Sequence, residues 1–356
     1  MSLMSRKIIG IETSCDETAV AIIDEDKNIL SNLIISQIDI HKEFGGVVPE
    51  IAARNHTLII DKLIKKSLLE AKLDFKDLDA ISVTAGPGLI GGVIVGVMAG
   101  KMLASIYKKP IIAVNHLEAH ALTIRLTSEI KFPYLLLLVS GGHCQILLTK
   151  GVGNYQKLGE TIDDALGEAF DKVAQMIGLE YPGGPKIEEL ARNGNKNKYN
   201  FPKPLQKSKN HKYNFSFSGL KTAIRREIEK ITGEDYQKDS CKKLSEEEKI
   251  DIAASFQKVV AENIIDRLKN ILEDYDLNVT NLVIAGGVAA NQYLFGEISN
   301  FTKSYNIKTS APAINLCTDN GAMIAWAGME RLKLGLIDDL DFKPRARWKL
   351  TDIKTK

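Results

Sequence analysis

At 356 residues, with 44% hydrophobic and 26% charged residues, the chain can bury a full core and is long enough for two domains of ordinary size. Its four cysteines lie far apart with no CxxC pair, which disfavours a disulfide framework and a cysteine-based zinc site. Its apolar runs are too short or too interrupted by glycine for a membrane span, which disfavours a membrane protein. The N-terminus lacks the features of a secretory signal, so we expect a cytoplasmic protein, and the net charge of +2 does not by itself indicate a nucleic-acid binder.

Two β-hairpins of the same design are predicted. The first has strands at residues 8–11 and 18–23 around a turn rich in hydroxyls and carboxylates. The second has strands at 134–139 and 145–149 around the turn Ser140-Gly-Gly-His143. A repeated hairpin indicates two lobes of common origin.

The remaining periodic segments alternate between short strands and helices, which indicates α/β layering. One stretch, residues 192–213, is rich in Lys, Asn and Pro and has no periodicity, so we expect an irregular surface insertion there. The predicted strands are 80–84 and 281–285, and the predicted helices are 48–73, 91–107, 162–177, 184–193 and 245–275.

A pair of histidines is the sharpest local signal. His116-Leu-Glu-Ala-His120 places two imidazoles one helical turn apart, the spacing by which a helix can chelate one metal ion, although two polar histidines on a solvated helix show the same spacing. A zinc-protease helix reads HExxH, whereas Glu118 lies two residues after the first histidine and off the ligand face. A carboxylate is a common third ligand, and Asp319 is our candidate. At the start of an apolar helix, Thr318 or Asp319 would equally suit an N-cap.

Glycine pairs follow apolar strands or turns at three places: 141–142, 183–184 and 286–287. Glycine lets a backbone approach a nucleotide closely, so together these pairs suggest a nucleotide cleft, while each alone is also compatible with packing.

Residues 190–226 contain ten Lys and Arg and no Asp or Glu. Interleaved aromatic residues complete the mixture that binds phosphates and stacks unpaired bases, and RNA is therefore the predicted partner. The alternative is a lysine-rich surface loop with its phenylalanines packed inward. The aromatic residues are Tyr199, Phe201, Tyr213, Phe215 and Phe217, and the candidate RNA-binding residues are Lys203, Lys207, Lys209, Lys212, Arg225 and Arg226.

Seven motifs in fixed order resemble the TsaD family, and the resemblance runs from about residue 7 to residue 331. They are Gly10-Ile-Glu-Thr-Ser-Cys-Asp-Glu-Thr18, the His116/His120 pair, Val139-Ser-Gly-Gly-His143, Tyr181-Pro-Gly-Gly-Pro185, Phe215-Ser-Phe-Ser-Gly-Leu220, Gly286-Gly-Val-Ala-Ala-Asn291 and Cys317-Thr-Asp-Asn-Gly321. The resemblance implies an α/β fold of two duplicated actin-like (ribonuclease H-like) ATPase lobes with a cleft between them. The expected lobes are residues 1–114, completed by 322–356, and residues 115–321, with the basic insertion at 192–217.

The resemblance also implies an activity, that of a tRNA N6-adenosine threonylcarbamoyltransferase. The enzyme would move the threonylcarbamoyl group of threonylcarbamoyl-AMP to the adenosine 3′ of the anticodon, in tRNAs reading codons that begin with A. His116, His120 and Asp319 would hold one divalent metal ion that activates the donor, with Fe²⁺ favoured over Zn²⁺, and ATP with Mg²⁺ is left open as a further ligand. The adenylate would be lined by Leu138, Val139, Ser140, Gly141, Gly142, Asp171, Gly184 and Asn291.

Expected partners by the same resemblance are tRNA, the small ATPase TsaE and the actin-like protein TsaB, which would form a heterodimer through the predicted helix 48–73. Three other functions stay open: a small-molecule kinase of the same superfamily, a non-catalytic nucleotide-binding scaffold, and a metal-dependent peptidase. The position of Glu118 disfavours the peptidase.

Overall fold

The computed structural model describes residues 5–44, 46–206 and 208–353, which fall into two compact units. The first unit comprises the described residues up to Phe132, the segment Thr149–Tyr155, and those from Pro312 onward. The second unit comprises Pro133–Leu148 and Gln156–Ala311. The divisions at 132/133 and 311/312 differ from the expected 114/115 and 321/322. The first of these shifts arises because the helix that carries the histidine pair packs within the first unit.

The first unit contains a five-stranded sheet. Its strands are β1 (Lys7–Glu12), β2 (Glu17–Asp24), β3 (Ile29–Ser36), β4 (Ala80–Gly86) and β5 (Ile111–Asn115). Their order is β3-β2-β1-β4-β5, in which β1 pairs antiparallel with β2 and parallel with β4, and β4 pairs parallel with β5. The helices are α1 (Ile38–Lys42), α2 (Pro49–Ala71), α3 (Ile90–Tyr107), α4 (His116–Thr127) and α10 (Gly321–Lys333).

Both faces of this sheet are buried, because side chains alternate between two cores. Ile8 and Ile23 point to a core shared with α4 and α10, whereas Ile9 and Ile22 point to a core shared with α2 and α3. This double burial explains why β1 and β2 read as continuous apolar runs.

The second unit repeats the arrangement. Its strands are β6 (Tyr134–Val139), β7 (Cys144–Gly151), β8 (Asn154–Glu160), β9 (Asn281–Ala285) and β10 (Lys308–Ser310). The sheet has the order β10-β9-β6-β7-β8, so β6, like β1, lies between its hairpin partner and a parallel strand. This repeat of strand order confirms the predicted duplication. The helices are α5 (Leu166–Met176), α6 (Gly183–Ala191), α7 (Ser218–Thr232), α8 (Glu246–Asp274) and α9 (Gln292–Lys303).

The sequence signals account for several boundaries. α8 begins where predicted because Ser245 and Glu248 form a capping box, in which each side chain accepts a hydrogen bond from the other residue's backbone N–H. The described residues between α6 and α7 form no helix or strand, which confirms the irregular insertion.

One helix among the described residues, α3, is long and apolar enough to cross a membrane by length and composition. In the first unit α3 packs against α2 and β4. Its glycines serve that packing: a Cβ on Gly100 would lie 2.2 Å from the side chain of Val83 in β4.

Candidate metal centre

α4 begins at its first histidine because of the residue before it. The side chain of Asn115 accepts hydrogen bonds from the backbone N–H groups of Leu117 (2.9 Å) and Glu118 (3.3 Å), which caps the helix. His116 and His120 therefore lie one turn apart on the same side of α4, with ring centroids 4.7 Å apart and ring planes at 90°. Both histidines are buried rather than solvated.

Asp319 reaches the same point from the loop before α10. Its Oδ1 lies 3.1 Å from Nε2 of His120 and 3.5 Å from Nε2 of His116. Within the described ranges these three residues are the one cluster of His, Cys, Asp or Glu whose ligand atoms converge, all lying within 4.8 Å of one another. The N-cap of α10 is Asn320, whose Oδ1 accepts from the N–H of Met323 at 2.9 Å, so neither Thr318 nor Asp319 serves as the cap.

A second carboxylate orients the first histidine. Nδ1 of His116 lies 2.9 Å from Oε2 of Glu12 and 3.1 Å from Oγ of Ser14. The same Oε2 atom accepts a 2.6 Å hydrogen bond from Thr84 Oγ1, and the Glu12 side chain is completely buried. In the neutral form of the ring, a proton held on Nδ1 by this carboxylate leaves the lone pair on Nε2, the atom that faces Asp319.

Charge in this cluster shifts three pKa values. Burial alone would lower the pKa of His116, but the charges of Asp319 and Glu12 and the hydrogen bond to Glu12 outweigh it and raise the pKa to about 9. For Glu12, burial is outweighed by the charge and hydrogen bond of His116, so its pKa is lowered. Burial and the charges of Asp319 and Asp16 raise the pKa of Glu17 to about 9.

Glu118 points away from the histidines, as predicted. Its Oε1 accepts from the N–H of Gly153 (2.7 Å) and from the hydroxyl of Tyr155 (3.1 Å), and its Oε2 lies 3.1 Å from Nη1 of Arg331. All four groups belong to the first unit, and the Glu118 side chain is fully buried. Glu118 therefore anchors the opposite face of α4 and is not placed to act as the base of a peptidase.

The expected adenylate residues lie in the second unit. Leu138 and Val139 end β6, and the turn that follows is closed by a 2.8 Å hydrogen bond from the N–H of Ser140 to the carbonyl of His143. Gly286, which follows β9, has φ 91° and lies so close to this strand end that a Cβ would be 2.4 Å from the carbonyl oxygen of Val139. The ends of two parallel strands thus meet at this turn, which also contains Gly141 and Gly142.

The other expected residues lie on or next to helices of the same unit: Asp171 within α5, Gly184 at the start of α6 and Asn291 at the N-cap of α9. Asp171 on α5 accepts a 2.8 Å hydrogen bond from the N–H of Gly183, beside Gly184, where an added Cβ would meet nothing within 4 Å. Asn291 caps α9, and its amide donates to Oε1 of Gln257 at 2.7 Å. A pocket of about 490 Å³ lies next to the hydrogen-bonded pair Asn291 and Gln257. It is lined by Glu188, Ala191, Arg192, Gly194, Lys196, Ala254, Gln257, Gln292 and Tyr293.

The basic insertion differs from the prediction in two respects. Phe201, Phe215 and Phe217 are buried, so these aromatic rings cannot stack on bases, and the prediction that they do was wrong. Acidic residues of α8 also neutralise part of its charge: Lys203 lies 2.8 Å from Glu262, and Lys212 lies 2.5 Å from Asp274. Arg225 pairs with Glu229 at 3.0 Å, Lys209 and Arg226 are exposed, and Lys207 lies outside the described residues.

Two sheets with the same strand order define a duplicated α/β protein of the actin-like ATPase fold, and solved structures agree. Full-length HypF in its phosphate- and nucleotide-bound form has a TM-score of 0.58 and 14% sequence identity, and the match covers 93% of this chain and 47% of HypF. Component A of the Acidaminococcus fermentans (R)-2-hydroxyglutaryl-CoA dehydratase has a TM-score of 0.53 and 15% identity, covering 92% of this chain and all of that protein. At such identities the likeness shows the fold alone.

The sequence comparisons define the family within that fold. The family model described as TsaD, tRNA N6-adenosine threonylcarbamoyltransferase, matches residues 28–326. A tRNA N6-adenosine threonylcarbamoyltransferase of Rickettsia rickettsii (strain Sheila Smith) is 52% identical over 352 residues, which is 98% of this chain and 99% of the relative. The chain belongs to the TsaD family, as the resemblance of its motifs implied.

Proposed function

We propose that this chain is a tRNA N6-adenosine threonylcarbamoyltransferase. It would transfer the threonylcarbamoyl group of threonylcarbamoyl-AMP to the adenosine 3′ of the anticodon in tRNAs that read codons beginning with A, with AMP as the leaving group. One structural observation carries the proposal within the family: two histidines of one helix converge at a buried point with an aspartate that lies 199 residues after the second histidine. Neither a kinase nor a scaffold of this fold needs that arrangement. The cytoplasm, where tRNA is found, is the proposed location.

The three residues fit one divalent metal ion. Two imidazole nitrogens and one carboxylate oxygen form a donor set that suits Fe²⁺ or Zn²⁺ and leaves coordination positions open. Fe²⁺ is favoured, because a donor set of two histidines and one carboxylate is typical of non-haem iron sites. When bound, the ion would supply Lewis-acid polarisation of the donor's carbonyl group.

The protein's own residues would bind and orient the substrates. The adenosine amine is a poor nucleophile, because its lone pair is delocalised into the purine, so alignment of donor and acceptor is a large part of the catalytic task. Backbone N–H groups of the turn after β6, together with Asp171, Gly184 and Asn291, would hold the AMP portion. Displacement of bound AMP by ATP with Mg²⁺ would test whether the triphosphate uses the same residues.

The basic segment 190–226 is proposed to contact tRNA through the cations that form no salt bridge. Lys209 in the insertion and Arg226 on α7 are exposed and form no salt bridge with any described residue, whereas Lys203, Lys212 and Arg225 are already paired with carboxylates. We therefore assign Lys209 and Arg226 the larger share of phosphate binding within this segment. Charge reversal at both positions should weaken tRNA binding and leave binding of the adenylate unchanged.

TsaB and TsaE are the proposed protein partners. Leu58 and Leu69 of α2 are exposed, and α2 packs beside α3, where an apolar residue is exposed at every fourth position: Ile90, Ile94, Met98, Met102 and Ile106. Such a stripe is typical of a helix that meets a partner. Heterodimer formation with TsaB through α2 and α3 should be lost when Met98 and Met102 are replaced by glutamate.

The test is incorporation of labelled threonylcarbamoyl into unmodified tRNA by the purified protein with TsaB, TsaE and threonylcarbamoyl-AMP. We expect incorporation that a chelator abolishes and that added metal restores. Incorporation that survives complete removal of metal would refute the role given to His116, His120 and Asp319. No incorporation with active partners would favour the kinase or scaffold function.

A further inference from the structure

The C-terminal part of the first unit contains a dense run of positive charge. Residues 343–349, here called the basic strap, read Lys-Pro-Arg-Ala-Arg-Trp-Lys and include no acidic residue. Pro344 and Trp348 are partly buried, and Trp348 packs against the core that α2 and α3 share with the sheet. The four cations are exposed: Lys343, Arg345, Arg347 and Lys349.

Backbone contacts hold the strap in place although it has no regular secondary structure. The N–H of Arg345 donates to the carbonyl of Ala85 at 2.8 Å, and the N–H of Gly88 donates to the carbonyl of Ala346 at 3.2 Å. At Gly86, whose φ is 133°, a Cβ would lie 2.0 Å from the carbonyl oxygen of Arg345, so the strap requires glycine there. The backbone of the strap is thus held against the end of β4 at Arg345 and Ala346.

The strap lies close to the candidate metal centre. The side chain of Asn115, which caps α4 directly before His116, donates to the carbonyl of Trp348 at 3.0 Å. The turn after β4, which contacts the strap through Gly88, is also linked to His116. The N–H of Leu89 in this turn donates to the carbonyl of Ser14 at 2.7 Å, and Oγ of Ser14 contacts His116. One layer of residues separates the strap from the first histidine.

The charges of the strap are not neutralised. Lys343, Arg347 and Lys349 form no ion pair with any described residue, and Arg345 lies over the ring of Trp348, 4.7 Å from its centroid. In the basic insertion, by contrast, Lys203 and Lys212 are paired with acids of α8. Free exposed cations bind phosphates with release of counterions, whereas paired ones must first break an existing contact.

We propose that the basic strap binds the phosphodiester backbone of the tRNA substrate and so brings the RNA beside the metal centre. The inference rests on the proposed function and adds to it a site in the first unit. Phosphate contacts position a nucleic acid without reading its sequence, so the strap would set the placement of the RNA and leave the choice of adenosine to other residues.

The test measures binding of unmodified tRNA by fluorescence anisotropy at increasing salt, using the full chain with TsaB. The strap variant is Lys343→Gln/Arg347→Gln/Lys349→Gln, in which all three replaced residues are exposed and form no salt bridge with a described residue. The matched control, Lys150→Gln/Lys303→Gln/Lys308→Gln, removes three exposed cations elsewhere. We expect the strap variant to bind tRNA at least roughly tenfold more weakly and to lower the slope of log K against log salt by about 2 to 3, with little change in the control.

The possible outcomes separate the strap from the proposed function. Wild-type affinity in the strap variant, with normal threonylcarbamoyl transfer by the wild type, would overturn the strap alone. Loss of binding to phosphatidylglycerol vesicles with tRNA affinity unchanged would assign the strap to a membrane surface instead and would also overturn it. Absence of transfer by the wild type would remove the proposed function and, with it, the basis of this inference.

Discussion

Nε2 of His120 lies 3.1 Å from Oδ1 of Asp319, although the two residues are 199 positions apart in the chain. His120 belongs to α4 and Asp319 to the loop before α10, and these helices pack together in the core of the first unit. The side chains of Asn115 and Asn320 fix where the two helices begin. The candidate metal centre is therefore held by two capped helices of one unit.

Replacing Asp319 by asparagine should empty the centre without unfolding the protein. The change removes the one carboxylate that faces both histidines and keeps the side-chain volume. Because loss of an outer-shell partner already costs roughly 10–100-fold in metal affinity, loss of this ligand should cost more. Metal content after dialysis, measured by mass spectrometry, checks this, with the exposed Asp341→Asn variant as control. Full metal content in Asp319→Asn would contradict the assignment.

Metal affinity should rise with pH. The metal-free protein holds a proton on His116 up to its pKa of about 9, and a metal ligand must be a neutral imidazole. Binding therefore releases that proton, and affinity should increase roughly tenfold per pH unit between about pH 7 and 9. Titration of the metal-free protein with Co²⁺ at several pH values gives the slope. An affinity independent of pH would show that His116 holds no such proton in the metal-free protein.

The same pKa predicts how stability varies with pH in the metal-free protein. The folded-state pKa of His116 lies above its ordinary value of 6.5, so its stabilising contribution is fully present below pH 6.5 and is lost as the pH rises toward 9. The pKa of Glu17 is raised to about 9, so its contribution to stability also decreases as the pH rises from its ordinary pKa of 4.5 toward 9. Urea unfolding of the metal-free protein should show stability falling from pH 6.5 to 9. Glu17→Gln should make the decline shallower, and an unchanged slope in that variant would exclude Glu17.

Glu118→Ala should destabilise the first unit by about 3–5 kcal/mol, because it leaves the buried charge of Arg331 without its partner. It also removes the acceptor for the N–H of Gly153 and the hydroxyl of Tyr155. Urea unfolding measures the loss, and Glu118→Gln, which keeps an acceptor oxygen, should lose less. Equal stability of the alanine variant and the wild type would mean that the pair does not anchor α4.

What the sequence predicted was set by local spacing, and what it missed depends on distant contacts. The His116/His120 spacing needed only a helix, and the duplication of the lobes followed from the repeated hairpin. Nothing in the spacing reveals that Glu12, 104 residues earlier, holds Nδ1 of His116, since that contact requires β1 to lie beside β4 and β5. The stacking role given to Phe215 and Phe217 was wrong. The sequence of a basic segment does not distinguish an aromatic ring that faces solvent from one that packs into the core.

Gly92→Ala should destabilise the protein even though alanine favours helices. Thr13 lies against α3 and donates a 2.8 Å hydrogen bond from its hydroxyl to the carbonyl of Gly92, and a Cβ on Gly92 would be 2.4 Å from the carbonyl oxygen of Thr13. Because Thr13 is in the turn that holds Glu12 and Ser14 against His116, displacing it should also weaken metal binding.

Gly296→Ala in α9 is the matched control. A Cβ there meets nothing within 4 Å, so this variant should gain the usual helix-propensity benefit of about 0.5–1 kcal/mol. Thermal unfolding of both variants, with metal titration of each, separates the two effects. If Gly92→Ala were stabilised like Gly296→Ala and kept full metal affinity, close packing of α3 against the turn would not be what holds Glu12 in place. Gly92 would then have no role at the metal centre.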